Sequence, residues 1–141
     1  MKIIISFLIF ILLIFFFVIN KHSEKFSENQ NNKNLVFTSA GNNTNFHNLW
    51  CNKNRNYDIW VVYYGDDDEK YNLYKDKVNF IAKRKGSKFQ NFHYIYNKYR
   101  EKIDKYERFF ILDDDIIFNA TDINKIFNIS KKYDLWLCGP T

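Results

Sequence analysis

The sequence predicts an α/β domain, a mostly parallel sheet with flanking helices, preceded by one N-terminal transmembrane helix. Three observations carry that prediction. From Asn34 onward, short apolar runs alternate with segments of helical spacing, the pattern of strand–helix units rather than of a meander. The run Phe109 to Leu112 stops abruptly at Asp113-Asp114-Asp115, as a buried strand does where it reaches the polar rim of a sheet. Ile3 to Ile19 is a stretch of Ile, Leu, Phe and Val broken only by Ser6, at the short end of what spans a bilayer and longer than most signal-peptide cores.

In chain order, residues 1–20 read as an uncleaved signal anchor, because Lys21-His22-Ser23-Glu24-Lys25 follows with no small-x-small cleavage signal. Residues 21–33 are rich in Asn, Glu, Ser and Lys and predict a flexible polar stem. Residues 34–141 remain for a folded domain, enough for one small core. Leu35 to Thr38 is the first strand, ending in the small turn Ser39-Ala40-Gly41, and Asp58 to Tyr64 is the second, ending at Gly65 and Asp66-Asp67-Asp68. That second acidic run has turn character and reads as a solvated loop or as a contact to a ribose hydroxyl. Val78 to Ile81 is a third, shorter strand. Gly86 to Lys102 carries Phe89, Phe92, Ile95, Tyr96 and Tyr99 at helical spacing behind Ser87 as N-cap. Phe109 to Leu112 is the fourth strand, Thr121 to Tyr133 a helix, and Leu135 to Cys138 a fifth strand.

The formal charge of +5 raises the question of a nucleic-acid partner. Lys and Arg are scattered among Asp and Glu rather than gathered on one face, so no nucleic acid is expected. The densest basic stretch, Lys83-Arg84-Lys85-Gly86-Ser87-Lys88, suits a solvated loop or a phosphorylated small molecule. Cys51 and Cys138 lack metal-type spacing and read as free thiols, with a bridge between them open in an oxidising lumen. His22, His47 and His93 form no nucleophilic arrangement with Ser or Cys.

The chemistry concentrates at the triplet. Ligands of open α/β sheets bind just beyond the carboxyl ends of the strands. Alternation along a strand sends Asp113 and Asp115 to one side and Asp114 to the other. Two carboxylates on one side make half of a hard-ligand site, the kind Mg²⁺ or Mn²⁺ completes with water and substrate phosphates. Lys88, one residue into its helix, is placed to reach a phosphate with help from the helix terminus, or to stand exposed.

Taken together, the N-terminal anchor, the polar stem, the first strand with its small turn and Phe109-Phe110-Ile111-Leu112-Asp113-Asp114-Asp115-Ile116 resemble the nucleotide-binding half of GT-A glycosyltransferases. Lys85-Gly86-Ser87-Lys88-Phe89, Tyr106 to Asp115 and Leu135-Trp136-Leu137-Cys138-Gly139-Pro140 are similar to an uncharacterised GT-A-like domain family. The resemblance implies a Rossmann-like half that binds a nucleotide sugar through Mn²⁺ or Mg²⁺ and its D-x-D motif. Asp113 would approach the ribose or the metal shell, Asp115 would coordinate the ion bridging the donor diphosphate, and Ser39 and Asp66 would lie near the nucleoside. It also implies a lumenal or extracytoplasmic (type II) domain tethered through residues 3–19, although Lys21, Lys25 and Lys33 on the far flank argue against that orientation. GT-A enzymes continue past Gly139-Pro140-Thr141 into an acceptor half. The expectation is therefore a membrane-anchored glycosyltransferase-like protein inactive alone, with a second chain completing the domain. The alternatives are a non-catalytic membrane protein and a fragment of a split enzyme.

Overall fold

In a computed structural model of the 141-residue chain, the described residues are 24–26 and 32–139. The elements are β1 (Glu24–Phe26), β2 (Asn34–Ala40), α1 (Phe46–Leu49), β3 (Asp58–Tyr63), α2 (Asp68–Lys75), β4 (Phe80–Lys83), α3 (Lys88–Lys98), α4 (Arg100–Ile103), β5 (Arg108–Ile111) and α5 (Ala120–Lys132). The sheet runs in the order β1-β4-β3-β2-β5. Its four strands β4, β3, β2 and β5 are parallel, and β1 adds an antiparallel edge on β4.

Parallel strands covered on both faces need apolar side chains throughout, not in alternation. β3 is accordingly buried at every position and β2 at all but its first. Alternate residues feed two cores. Val36, Ile59, Val61 and Ile81 pack with Tyr71 and Tyr74 of α2 and with Ile123 and Phe127 of α5. Leu35, Phe37, Trp60, Val62 and Phe80 pack on the other face with Ile95 of α3 and Ile103 of α4. Local sequence punctuates the helices. Ser87 with Gln90, and Asn119 with Asp122, form reciprocal capping boxes that satisfy the first amides of α3 and α5. The helical pattern from Gly86 to Lys102 divides at Tyr99, whose φ of −123° and ψ of 35° interrupt it between α3 and α4.

Four expectations are corrected. The fold class included a transmembrane helix, but among the described residues no helix is long and apolar enough to cross a membrane. The fold is therefore a four-stranded parallel sheet flanked by helices with one added edge strand; residues 3–19, on which the anchor was placed, lie outside the described residues. The stretch expected as a flexible stem contributes β1, because Glu24–Phe26 finds the open edge of β4. Leu135 to Cys138 forms no strand. The Leu135 amide instead donates to the Ser130 carbonyl at 2.9 Å, ending α5 in a turn, and Trp136 and Leu137 are each 96% exposed. Finally, Asp66-Asp67-Asp68 is no simple loop. Asp67 is the N-cap of α2 and accepts from the amides of Glu69 and Lys70.

Candidate functional site

The strand order reverses at β2. The chain steps from β2 to β3 to β4 on one side, then returns to place β5 against the other side of β2. The carboxyl ends of β2 and β5 therefore lie side by side at the switch point, the ligand position of open α/β folds. Gly41 follows β2 there, and the acidic triplet follows β5.

The triplet divides its duties. Asp114 turns inward: its carboxylate accepts from the Gly41 amide at 2.9 Å, and its carbonyl accepts from the Thr44 hydroxyl at 2.6 Å and the Asn45 amide at 3.1 Å. Burial is the main cause that raises its carboxyl above the ordinary range, with Asp115 and Asp113 adding like-charge repulsion. Asp113 is exposed and pairs with Lys88 at 2.6 Å. Asp115 is exposed, and its carbonyl accepts from the Asn45 side chain at 3.3 Å. The strand alternation expected to order the triplet does not reach it: β5 ends at Ile111 and residues 114–115 form a turn. Among the described residues no group of three or more His, Cys, Asp or Glu side chains is placed to hold a metal ion. Asp113 and Asp115 offer hard oxygen donors at the switch point, so the donor set suits Mg²⁺ or Mn²⁺ only as part of a shell that water and ligand oxygens complete.

The remaining expected residues meet at the same rim. Ser39 is buried, and its hydroxyl accepts from the Asn91 side-chain amide at 3.0 Å. Asp66 accepts from the Asn42 amide at 2.8 Å, the largest influence holding its carboxyl below the ordinary range. Lys88 reaches Asp113, not a helix-end phosphate position of its own.

Sequence reasoning missed Asn42, Tyr64 and Asn91, and the partner of Arg84. Asn42 accepts from the Tyr63 hydroxyl and presents its carbonyl to Tyr74 at 3.2 Å, tying the turn after β2 to β3 and α2. Tyr64, 39% exposed, lies over Gly41, where an added Cβ would sit 2.9 Å from its hydroxyl. Burial raises its phenol, with Asp114 and Asp115 contributing, which puts the ring beside the triplet. Arg84 and Asn91 complete the set: the guanidinium donates to the Asn91 carbonyl oxygen at 2.5 Å, and Asn91 is fully buried. The basic stretch Lys83 to Lys88 carried a signal for Arg84, whereas an Asn within an aromatic helix pattern is the only local signal for Asn91.

The fold defines an open α/β domain with acidic and basic side chains gathered at the carboxyl ends of β2 and β5, its switch point. No family model, curated protein or solved structure matches the chain.

Proposed function

We propose that this chain binds a nucleotide sugar at the carboxyl ends of β2 and β5, in the manner of the nucleotide-binding half of GT-A glycosyltransferases. The observation that carries the reading is the contact between the two strand ends. Asp114 closes on Gly41, leaving Asp113 and Asp115 exposed at the position where ligands of open α/β sheets lie. Asp113 and Asp115 would hold a divalent ion, and that ion would neutralise diphosphate charge as a Lewis acid. Ser39, Asp66 and the exposed Tyr64 ring would lie near the nucleoside, with the ring offering a face to a planar base. Lys88 keeps Asp113 compensated until a cation takes that carboxylate, and is then free for a phosphate.

The proposed activity is binding, not transfer. Asp66 is bonded to Asn42, Asp67 to the amides that open α2, and Asp68 to Lys83, so the acids after β3 have structural partners.

Calorimetric titration of the full chain with a nucleoside diphosphate sugar, with and without Mn²⁺, tests the proposal. The expected result is Mn²⁺-dependent binding that is lost in Asp115→Ala. Equal affinity in the wild type and the variant refutes the site.

A further inference from the structure

The basic loop between β4 and α3 sends one cation to each neighbouring element of this rim. Lys83 pairs with Asp68 of α2, and Lys88 pairs with Asp113 after β5. The two cations between them meet only neutral acceptors. The Lys85 ammonium donates to the Tyr64 carbonyl at 2.5 Å. Arg84 donates to the Asn91 side chain at 2.5 Å and to the Lys85 carbonyl at 3.4 Å, and its guanidinium lies 4.9 Å from the centre of the Tyr94 ring. The carboxylate that feels Lys85 is Asp66, and it is bonded to Asn42 instead. Among the described residues neither Arg84 nor Lys85 forms an ion pair.

The surroundings hold Arg84 in place, while Lys85 is exposed and held by its bond to Tyr64. Asn91 is fully buried and spends its whole amide on the arrangement, accepting from Arg84 and donating to Ser39 and to the Gly86 carbonyl, each at 3.0 Å. A buried amide satisfied on every side costs desolvation that an apolar residue would avoid, and what it gains is a fixed geometry. Gly86 clears the room. A Cβ there would stand 2.7 Å from both the Arg84 guanidinium and the Asn91 oxygen. A guanidinium carries five donors, and those of Arg84 not turned to Asn91 and Lys85 remain for a planar, bidentate acceptor.

We propose that Arg84 and Lys85 form an anion subsite that takes a diphosphate group independently of any metal ion, with Asn91 as the residue that positions Arg84. The identity of the ligand as a nucleotide sugar's diphosphate rests on the function proposed above, whereas the subsite itself does not. Charge-assisted bonds from both cations to one diphosphate set its strength, and a single phosphate, spanning less, binds more weakly.

The test is calorimetric titration of the full chain with inorganic diphosphate, and with inorganic phosphate, in a chelator that removes divalent ions. Saturable binding of diphosphate is expected, weakened about tenfold or more by Arg84→Gln and by Lys85→Gln, and only partly by Arg84→Lys. Absence of saturable binding in the wild type, or wild-type affinity in both glutamine variants, overturns the subsite. Lys85→Gln alters an exposed side chain, so it decides the matter if Arg84→Gln fails to fold. Diphosphate binding of this kind without Mn²⁺-dependent binding of a nucleotide sugar sustains the subsite and sinks the ligand assignment; the reverse result sinks only the subsite.

Discussion

Gly65→Ala should be among the most damaging small substitutions in the molecule. A Cβ at residue 65 would fall inside the van der Waals shells of the Asn42 side-chain oxygen and of the Tyr63 ring and hydroxyl. Neither neighbour is free to retreat. Tyr63 is fully buried; its single hydroxyl proton is shared between two acceptors in reach, the Asn42 side-chain oxygen and the Asp67 carbonyl at 2.9 Å, and its oxygen accepts from the Asp67 amide at 3.1 Å. Relief of the overlap therefore breaks at least one of these bonds, about 1 kcal/mol each, on top of about 1–3 kcal/mol of overpacking strain. The sum is about 2–4 kcal/mol, which for a domain of this size lowers the melting temperature by about 10–25 °C. Circular dichroism during thermal and urea unfolding of the full chain measures it. Tyr63→Phe removes the hydroxyl, so Gly65→Ala in that background should cost at least about 1 kcal/mol less than in the wild type. A Gly65→Ala protein within about 0.5 kcal/mol of wild type would refute the close approach, and a strictly additive double mutant would clear the hydroxyl of responsibility.

Two further outcomes follow from burial. Phe127 is 3% exposed and packs its ring against Tyr57 and Phe110, so Phe127→Ala should destabilise by about 3–5 kcal/mol in urea unfolding, with the loss concentrated in docking of α5 on β5. Burial pushes the Cys51 thiol up to about 11, whereas Cys138 is exposed. A raised thiol pKa keeps the thiolate scarce until the pH nears it, so iodoacetamide at pH 8 should label Cys138 well before Cys51. Labelling at Cys51 should then climb as the pH approaches 11, as followed by mass spectrometry.

Where information is local, the amino-acid order was a sufficient guide. The apolar runs of β2 and β3 declare themselves because a strand covered on both faces must be apolar at nearly every position, and Ser87 marks the start of α3 because an N-cap acts within three residues of itself. The run Leu135 to Cys138 misled because an apolar run shows only that residues prefer to leave water. A strand also needs a neighbour with free backbone groups, and here the chain turned back on Ser130. β1 was hidden for the converse reason, since its three residues carry no strand pattern and join the sheet through the open edge of β4.

The candidate site divides along the same line. Asp113, Asp114 and Asp115 at the end of an apolar run were legible, because carboxylates crowded behind apolar residues are conspicuous in one dimension, although β5 proves to be an edge strand with no buried position. That Asp114 would close on Gly41, 73 positions away, while Arg84 rests on Asn91 and Asn91 on Ser39, was not. The first of these exists because β5 passes β3 and β4 and settles beside β2, and the bond from Asn91 to Ser39 because α3 packs on β2. Strand order is fixed by which faces and edges bury best in three dimensions, a choice among distant segments that no local spacing records. The sequence alone therefore determined the strands, the caps and the acidic rim; the tertiary structure alone decided which rims meet and which charges find partners there.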